Sequence, residues 1–338
     1  MTYNNVDSLL NSGKSVDEII HYDFKKENGN FKSVDHIELW LEYRNTGKGW
    51  DCDGSGKNSN VTCGLSRDIY KVLWGWDSEK DSPFKNTKQF DNMRMGPDTM
   101  NSFFKVLTDV IEIVNPEGKK EYFKTVGKTL GKKKMWWSKE DFEREGFLKI
   151  IENVRHNNEV GVLITEYAKL THTIGNFVLV PNGFNQGRAF KTNDYWDLSL
   201  MLIEKGIKCK GNMPSELLPK YINTFFLWDY VDENYNIKPF FTSHSLQNKK
   251  PKTIQEAVIL LQSITNAIVR RGYFMVAILK VATNYSEQYN QILNELKNME
   301  KASMEKAIDI IKASINEDSE ILGILNEISI ERRWPQLT

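Results

Sequence analysis

The sequence predicts a mainly α-helical protein with a small β component (α+β), organised as one large globular helical body and a C-terminal amphipathic helical segment. Apolar side chains recur at three- and four-residue spacing through most of the chain, which is typical of helices that bury one face. Strand-like runs are confined to residues 161–165 and 174–180. With 338 residues, of which 40% are hydrophobic, the chain can bury a sizeable core. We place the body at residues 1–283 and the extension at residues 284–338.

Three predicted helices precede residue 160. The first follows Ser33, a residue type that caps helices, and carries apolar side chains at helical spacing. The second begins near Asp98, because Pro97 suits the first turn of a helix and an apolar face follows. The third begins after Ser138 and Asp141, which form a capping-box pair.

The C-terminal half of the chain is also predicted to be mainly helical. Residues 195–207 and 215–231 carry aromatic faces at helical spacing. Thr253 and Glu256 form a further capping box, and the apolar run after them predicts a long buried helix. From residue 284 onward, the apolar spacing predicts one or two amphipathic helices that pack on the body or on a partner.

Residues 115–134 (NPEGKKEYFKTVGKTLGKKK) break the composition of the chain, with seven lysines, three glycines, one proline and two acids. We interpret this segment as an excursion or linker-like insertion. Basic groups interleaved with aromatic rings are typical of a groove that binds single-stranded nucleic acid. The alternative is a solvated loop whose rings dock it to the core. The candidate nucleic-acid contacts are Lys132, Lys133, Lys134, Trp136 and Trp137.

Composition excludes several classes of protein. The 45 basic and 45 acidic residues balance, so no global charge attracts nucleic acid or an anionic membrane. Three cysteines are too few for a disulfide scaffold and fit a reducing cytoplasm. The N-terminus lacks the basic start and apolar core of a signal peptide, and no run approaches the ~18 apolar residues of a membrane span. We therefore expect a cytoplasmic protein that does not engage membranes.

Three common ligand motifs are incomplete. Asp51 and Asp53 imitate the start of a calcium-binding loop, but Thr62 occupies the position of its closing glutamate. Residues 127–129 (GKT) resemble part of a phosphate-binding loop, but Tyr122 stands where its first glycine is required. The cysteines lack the close pairing of a zinc site.

Residues 171–191 (THTIGNFVLVPNGFNQGRAFK) resemble the back half of an HNH nuclease motif, with Asn176 and Asn185 nine residues apart and His172 where such domains carry a histidine. The resemblance implies metal-assisted phosphodiester hydrolysis, with a divalent metal as cofactor and a histidine that activates water. The front half of the motif, an acid–histidine pair, is missing between residues 140 and 170, where His156 is the one histidine. Outside this hypothesis no cofactor is indicated.

A broader resemblance covers residues 22–273. Six blocks carry it: YDF near Tyr22, IYKVLW at 69–74, MGPDTMNSFF at 95–104, TIGNFVLVP at 173–181, GRAF at 187–190 and DYWDLSLMLI at 194–203. In their order these blocks resemble an uncharacterised bacterial group, domain-of-unknown-function family 6994. The group implies no activity.

Polar residues in and beside these blocks predict a pocket in which arginines hold phosphate or carboxylate and acids act as bases or metal ligands. The ligand-binding candidates are Arg94, Asp98, Ser102, Asn176, Asn185 and Arg188. The catalytic candidates are His172, Asp194 and Asp197. The alternative is structural: Asp98 is a natural helix cap, and Arg188 can pair with Asp194 or Asp197 to satisfy buried charge.

Three functions remain open from the sequence. The favoured one is an enzyme that acts on a nucleotide or nucleic acid, for instance an effector in phage defence or a toxin system. The second is a non-catalytic binding protein, which predicts an exposed apolar patch along residues 292–315 and self-association through the C-terminal helices. The third is a metal-dependent HNH-like nuclease, which requires an acid and a histidine near Asn185.

Overall fold

The computed structural model describes residues 5–28, 35–46, 64–76, 95–141, 144–181, 184, 195–204 and 217–328. These residues form helices and one two-stranded antiparallel sheet, which confirms the predicted fold class. None of the described helices combines the length and the apolar character that a membrane crossing requires.

Fifteen helices and two strands are named below in chain order within the described ranges. The helices are α1 Val6–Leu10, α2 Val16–Ile20, α3 Phe24–Asn28, α4 His36–Thr46, α5 Gly64–Trp74, α6 Phe103–Val114, α7 Pro116–Thr129, α8 Glu145–Arg155, α9 Asn158–Leu170, α10 Trp196–Glu204, α11 Leu218–Thr224, α12 Ile254–Asn284, α13 Ser286–Lys297, α14 Met304–Ser314 and α15 Ser319–Ile328. The strands are β1 Met95–Thr99 and β2 Phe177–Pro181.

The long helix α12 is the centre of the fold. Thr253 caps it, accepting a hydrogen bond from the backbone N–H of Glu256 at 3.1 Å, as the sequence predicts. The other half of the predicted capping box differs, because the Glu256 carboxylate accepts from the backbone N–H of Lys252. Helices α2, α5, α9 and α15 pack around α12, so most of its side chains are buried.

The turn before β2 lies directly against α12. A Cβ atom on Gly175 would lie 2.0 Å from the carbonyl oxygen of Ile268 and 3.0 Å from the backbone nitrogen of Gly272. Arg271, also buried, donates from Nη1 to the Gly175 carbonyl at 2.7 Å and from Nε to the Phe225 carbonyl at 3.0 Å. Burial lowers the pKa of Arg271 to about 10. This contact fixes β2 and the segment around Phe225 to the central helix.

The prediction that a helix begins near Asp98 is wrong. Residues Met95–Thr99 form β1, in which Pro97 lies opposite Leu179 and Asp98 opposite Val178 of β2. Because every residue of β2 is buried, its backbone groups need partners, and β1 supplies them. Helix α6 begins only at Phe103, so Asp98 does not cap it.

Three further boundaries differ from the sequence prediction. Residues 161–165 belong to helix α9, not to a strand. The helix predicted over residues 215–231 is limited to α11 among the described positions and is followed by Phe226 in the left-handed region, at φ 59°. The predicted pair of Ser138 and Asp141 spans a short 3-10 turn, Lys139–Asp141, and α8 starts later, at Glu145.

The C-terminal segment forms three helices, α13 to α15, instead of the one or two predicted. α13 and α15 pack against α12, and α14 packs against α13. The apolar residues that were expected to form an exposed patch are buried within the chain, so that prediction is wrong. These residues are Ile292, Leu296, Met299, Met304, Ala307, Ile308, Ile311 and Ile315. Self-association through these helices therefore loses the surface on which it was predicted.

The contact at Gly175 makes a substitution there severely destabilising. We expect Gly175→Ala to lower the free energy of unfolding by more than about 3 kcal/mol, because the added methyl group meets backbone atoms that cannot move aside. The control is Gly323→Ala in α15, where a Cβ meets nothing within 4 Å and the better helix former stabilises by roughly 0.5–1 kcal/mol. Urea unfolding measures both; equal stability of the two variants would contradict the described packing.

Candidate functional site

The lysine-rich segment is a helix, which corrects its interpretation as a linker-like insertion. Asn115 caps α7 by accepting from the backbone N–H of Gly118 at 3.1 Å, and Pro116 occupies the first helical position. Tyr122 and Val126, four residues apart, are buried on the face that packs toward α6 and α8. The lysines therefore lie on a folded helix and not on a free loop.

Two glycines reverse the chain at the end of α7. Gly131 adopts φ +62° and its N–H donates to the Lys128 carbonyl at 3.2 Å, while the N–H of Lys132 donates to the Gly127 carbonyl at 3.0 Å. These are the two hydrogen bonds of a Schellman cap. A Cβ on Gly127 would lie 2.8 Å from the Lys132 carbonyl oxygen, so the returning segment touches the helix. We call α7 and the returning residues 130–137 the lysine hairpin.

Aromatic rings dock the lysine hairpin onto α8. Trp137 lies edge-on to Phe123 at 4.6 Å between ring centroids, stacks with Tyr122 at 5.7 Å and meets Phe147 edge-on at 5.6 Å. Trp137 is half-buried, which agrees with the alternative in which the aromatic rings of this segment dock it to the core. Trp136 differs from its neighbour, because 77% of its surface is exposed.

The side chain of Asp141 fixes the returning segment to α7. Its buried carboxylate accepts from the Tyr122 hydroxyl at 3.0 Å and from the backbone N–H of Ser138 at 2.6 Å. It also forms an ion pair with Lys134 Nζ at 2.8 Å. Burial and this carboxylate together raise the pKa of Tyr122. Lys134 is therefore the hairpin lysine whose charge is neutralised in the interior.

The two arms of the lysine hairpin line a shallow cavity of about 660 Å³ that is broadly open to solvent. We call it the lysine cavity; it is lined by Lys120, Phe123, Lys124, Gly127, Lys128, Gly131, Lys132, Lys133 and Lys134. The lining contains no acidic residue.

Two of these lysines are paired. Lys120 has the exposed Glu117 as its partner, and Lys134 has Asp141. The remaining four form no ion pair with any other described residue; they are Lys124, Lys128, Lys132 and Lys133.

A second cluster of polar groups lies in the interior, around the predicted catalytic candidate Asp197. Its Oδ2 atom accepts from His244 Nδ1 at 2.5 Å and from the backbone N–H of Phe240 at 3.2 Å, and its Oδ1 atom accepts from the N–H of Leu198 at 2.8 Å. With Nδ1 directed at the carboxylate, Nε2 of a neutral ring is an acceptor. This atom is buried and has no hydrogen-bond partner within the described part of the chain.

Tyr195 connects this pair to a second carboxylate. Its ring meets His244 edge-on at 4.9 Å, and its hydroxyl donates to Asp109 Oδ2 at 2.8 Å. Burial raises the pKa of Asp109 to about 6, although the hydrogen bond from Tyr195 lowers it. Groups arranged in this way can hold and transfer protons near neutral pH. The side chains of Asp197 and His244 are both fully buried, however, so a substrate does not reach them in this conformation.

Sequence reasoning missed His244 and Asp109. His244 lies in a turn-rich segment with no motif around it, and Asp109 sits within an apolar helix face. The one available signal was that both are polar residues flanked by aromatic or aliphatic runs, at 240–244 and 103–111.

Other predicted site residues have structural contacts. The Asn176 amide is fully buried; Oδ1 accepts from the backbone N–H of Asn101 at 3.0 Å and Nδ2 donates to the Thr171 carbonyl at 2.8 Å. His172 is buried in the turn after α9, where its carbonyl accepts from the N–H of Phe24 at 2.9 Å. Asn176 therefore joins the turn before β2 to the start of α6.

Of the remaining candidates of the predicted pocket, the structure describes Asp98 and Ser102. Asp98 is buried in β1 and accepts from the N–H of its neighbour Thr99 at 2.8 Å. Ser102 occupies the N-cap position of α6, without a side-chain cap hydrogen bond. Four candidates lie outside the described residues and stay predictions: Arg94, Asn185, Arg188 and Asp194.

Within the described ranges, no group of three histidine, cysteine or acidic side chains is placed to hold a metal ion. Asn185, on which the nuclease hypothesis depends, is outside those ranges, so that hypothesis stays a prediction.

Comparisons with protein-family models, curated proteins and solved structures return no match to this chain. The resemblance to the uncharacterised bacterial family stays a prediction, and the argument for function rests on the two clusters described above.

Asp109 predicts a pH dependence of stability. Because its pKa is about 6 in the folded chain against 3.8 ordinarily, the folded state retains a proton that the unfolded state releases. The free energy of unfolding should therefore fall as pH rises from about 4 to about 7, by roughly 2–3 kcal/mol, and this contribution should be flat above about pH 7.

Asp109→Asn should remove this part of the slope, since the amide oxygen still accepts from Tyr195 and no charge is buried. Asp309→Asn, at an exposed position on α14, is the control and should keep the slope of the unaltered chain. Denaturant unfolding at pH 4, 5, 6 and 7 measures the effect. Parallel curves for the two variants would show that Asp109 does not titrate in this window.

Proposed function

We propose that the protein binds the phosphate groups of a nucleotide or nucleic acid in the lysine cavity. The observation that carries the proposal is a solvent-open cavity lined by six lysines and no acid. Lysine ammonium groups are common phosphate ligands, because each offers a compact positive charge and three donors.

The charge of this cavity is unbalanced locally although the whole chain is neutral. The chain carries 45 basic and 45 acidic residues, yet four lysines of the cavity have no ion-pair partner among the described residues. Two like charges 4 Å apart repel by about 1 kcal/mol even in water. A ligand with several phosphates removes this repulsion and releases its own counterions, which favours binding.

The folded shape of the hairpin separates this proposal from an ordinary solvated surface. Gly127 and Gly131 permit the tight reversal that turns Lys132 and Lys133 back toward the lysines of α7. Exposed lysines that serve solubility alone have no reason to converge on one cavity.

Trp136 favours a nucleotide base as the second part of the ligand. It lies two residues after Lys134, the last cavity-lining residue, and 77% of its surface is exposed. Exposure of an apolar indole surface to water is unfavourable, whereas a base stacked on the indole stabilises a complex by about 1–3 kcal/mol. Phosphate contacts together with stacking are typical of nucleic-acid surfaces.

Charge removal in the cavity tests the proposal. We expect Lys132→Gln combined with Lys133→Gln to weaken binding of a labelled oligonucleotide about tenfold at low salt, because two phosphate contacts are lost. The matched control is Lys252→Gln with Lys306→Gln, which removes two exposed charges elsewhere on the chain. Fluorescence anisotropy at 50 and 200 mM salt measures both.

The proposal fails if the two double variants bind alike, or if the unaltered chain binds no oligonucleotide at 50 mM salt. An effector role in phage defence or a toxin system is the biological context we propose for such binding.

A second candidate function is catalysis with the Asp197–His244 pair as the proton-transfer group, in a conformation that admits a substrate to these two buried side chains. The observation in its favour is the buried, unpartnered Nε2 atom of His244, which matches a general base oriented by a carboxylate. His244→Asn separates catalysis from folding, because the asparagine amide keeps a donor at the position of Nδ1 and removes Nε2.

We expect this variant to keep the melting temperature within a few degrees and to lose ~100-fold or more of any hydrolysis rate. Release of labelled mono- or oligonucleotide fragments is the readout. An unaltered chain without hydrolysis, or a His244→Asn variant that hydrolyses at the original rate, would rule out this candidate.

A further inference from the structure

We infer that the ligand of the lysine cavity is an extended single strand, whose consecutive phosphates lie along one row of lysines on α7. The inference rests on the proposed function and names its substrate class. The inference comes from the regular spacing of the lysines along α7. Positive charge alone would not require this spacing.

Lys120, Lys124 and Lys128 recur every four residues on α7, and all three line the cavity. With a helical rise of about 1.5 Å per residue, successive members of this row are about 6 Å apart along the axis. Six covalent bonds separate successive phosphorus atoms of a nucleic-acid strand, or about 6–7 Å when the strand is extended. One lysine therefore meets one phosphate over three successive nucleotides.

The opposite wall holds the same backbone from its other side. Lys132 and Lys133 supply the charge of this wall, because Lys134 is paired with Asp141, and the walls meet where the Lys132 carbonyl approaches Gly127. A duplex presents two backbones across a groove of about 12 Å, whereas the lysines of the cavity converge from its two walls on the space between them. We therefore expect the cavity to bind one backbone.

The bases of such a strand have a place to stack. Trp136 lies two residues after Lys134 of the cavity wall, and two other apolar residues of the hairpin are exposed: Leu130 is 43% exposed and Met135 is 53% exposed. Stacking on an indole does not depend on base identity, so we expect little sequence preference. An anionic membrane surface is the other polyanion that lysines with an exposed tryptophan can engage, and the test below includes it.

The experiment measures binding of labelled oligothymidylates of one to eight residues to the full chain. We expect affinity to rise steeply up to about four nucleotides and then to level off, and a hairpin duplex of equal charge to bind at least tenfold more weakly. The slope of log K against log salt concentration should be about −2.8, since each of the four unpaired cavity lysines contributes about 0.7 on a single strand.

Two variants separate the parts of the site. Lys124→Gln with Lys128→Gln should reduce the magnitude of the slope by about 1.4, while Trp136→Ala should weaken binding roughly tenfold and leave the slope unchanged. All three positions are exposed, so neither variant is expected to unfold the chain. Lys252→Gln with Lys306→Gln should bind as the unaltered chain does.

The single-strand inference and the proposed phosphate binding are overturned by different experimental outcomes. Equal binding of duplex and single strand, or of mononucleotide and tetranucleotide, with continued sensitivity to Lys132→Gln and Lys133→Gln overturns the single-strand inference and retains phosphate binding. Absence of all oligonucleotide binding overturns both, as does capture by vesicles of an anionic phospholipid with no affinity for oligonucleotides.

Discussion

The contact between α12 and the turn before β2 is the constraint on which the rest of the described structure depends. At Gly175 the backbone comes so close to Ile268 that a hydrogen atom alone fits on the α-carbon. Arg271 closes the same contact by donating to two backbone carbonyls, those of Gly175 and Phe225. Because a buried guanidinium loses its hydration, these hydrogen bonds are required and they fix both segments on the helix.

From this contact, a series of polar interactions leads outward to the lysine hairpin. Asn176 ties the turn to Asn101, just before α6. At the far end of α6, Glu112 forms ion pairs with Lys119 of α7 and with Lys250. The charged groups along this path have hydrogen-bond or ion-pair partners, whereas four lysines of the lysine cavity have no ion-pair partner within the described ranges. This contrast is the physical reason for placing the ligand in the cavity.

The sequence predicts those features that depend on local spacing. The long helix after Thr253 and the helix at 196–204 follow from apolar periodicity and appear as expected. Asp98 was misplaced because Pro97 suits a helix start as well as a strand, and the pairing with Val178 is a contact 80 positions away in the chain. Gly127 and Gly131 were taken as linker signals, although one touches a returning carbonyl and the other supplies a cap. Residue propensity cannot distinguish a glycine in a linker from one at a close backbone contact or a helix cap, since the absence of a side chain favours glycine in each.

The two candidate sites also differ in whether a local sequence pattern indicates them. Interleaved lysines and rings marked the segment as a candidate nucleic-acid surface or a docked loop, and they could not show that Trp137 packs inward while Trp136 is exposed. The pair of Asp197 and His244 joins residues 47 positions apart, and no local pattern announces it.

Chemical footprinting of lysines tests the central claim most directly. The chain is acetylated with and without a saturating oligothymidylate, and mass spectrometry gives the modification rate of each lysine. We predict protection of Lys124, Lys128, Lys132 and Lys133, with unchanged modification of Lys252 and Lys306. Equal modification of the cavity lysines with and without the oligonucleotide, or protection confined to other lysines, would contradict the assignment of the lysine cavity as the binding site.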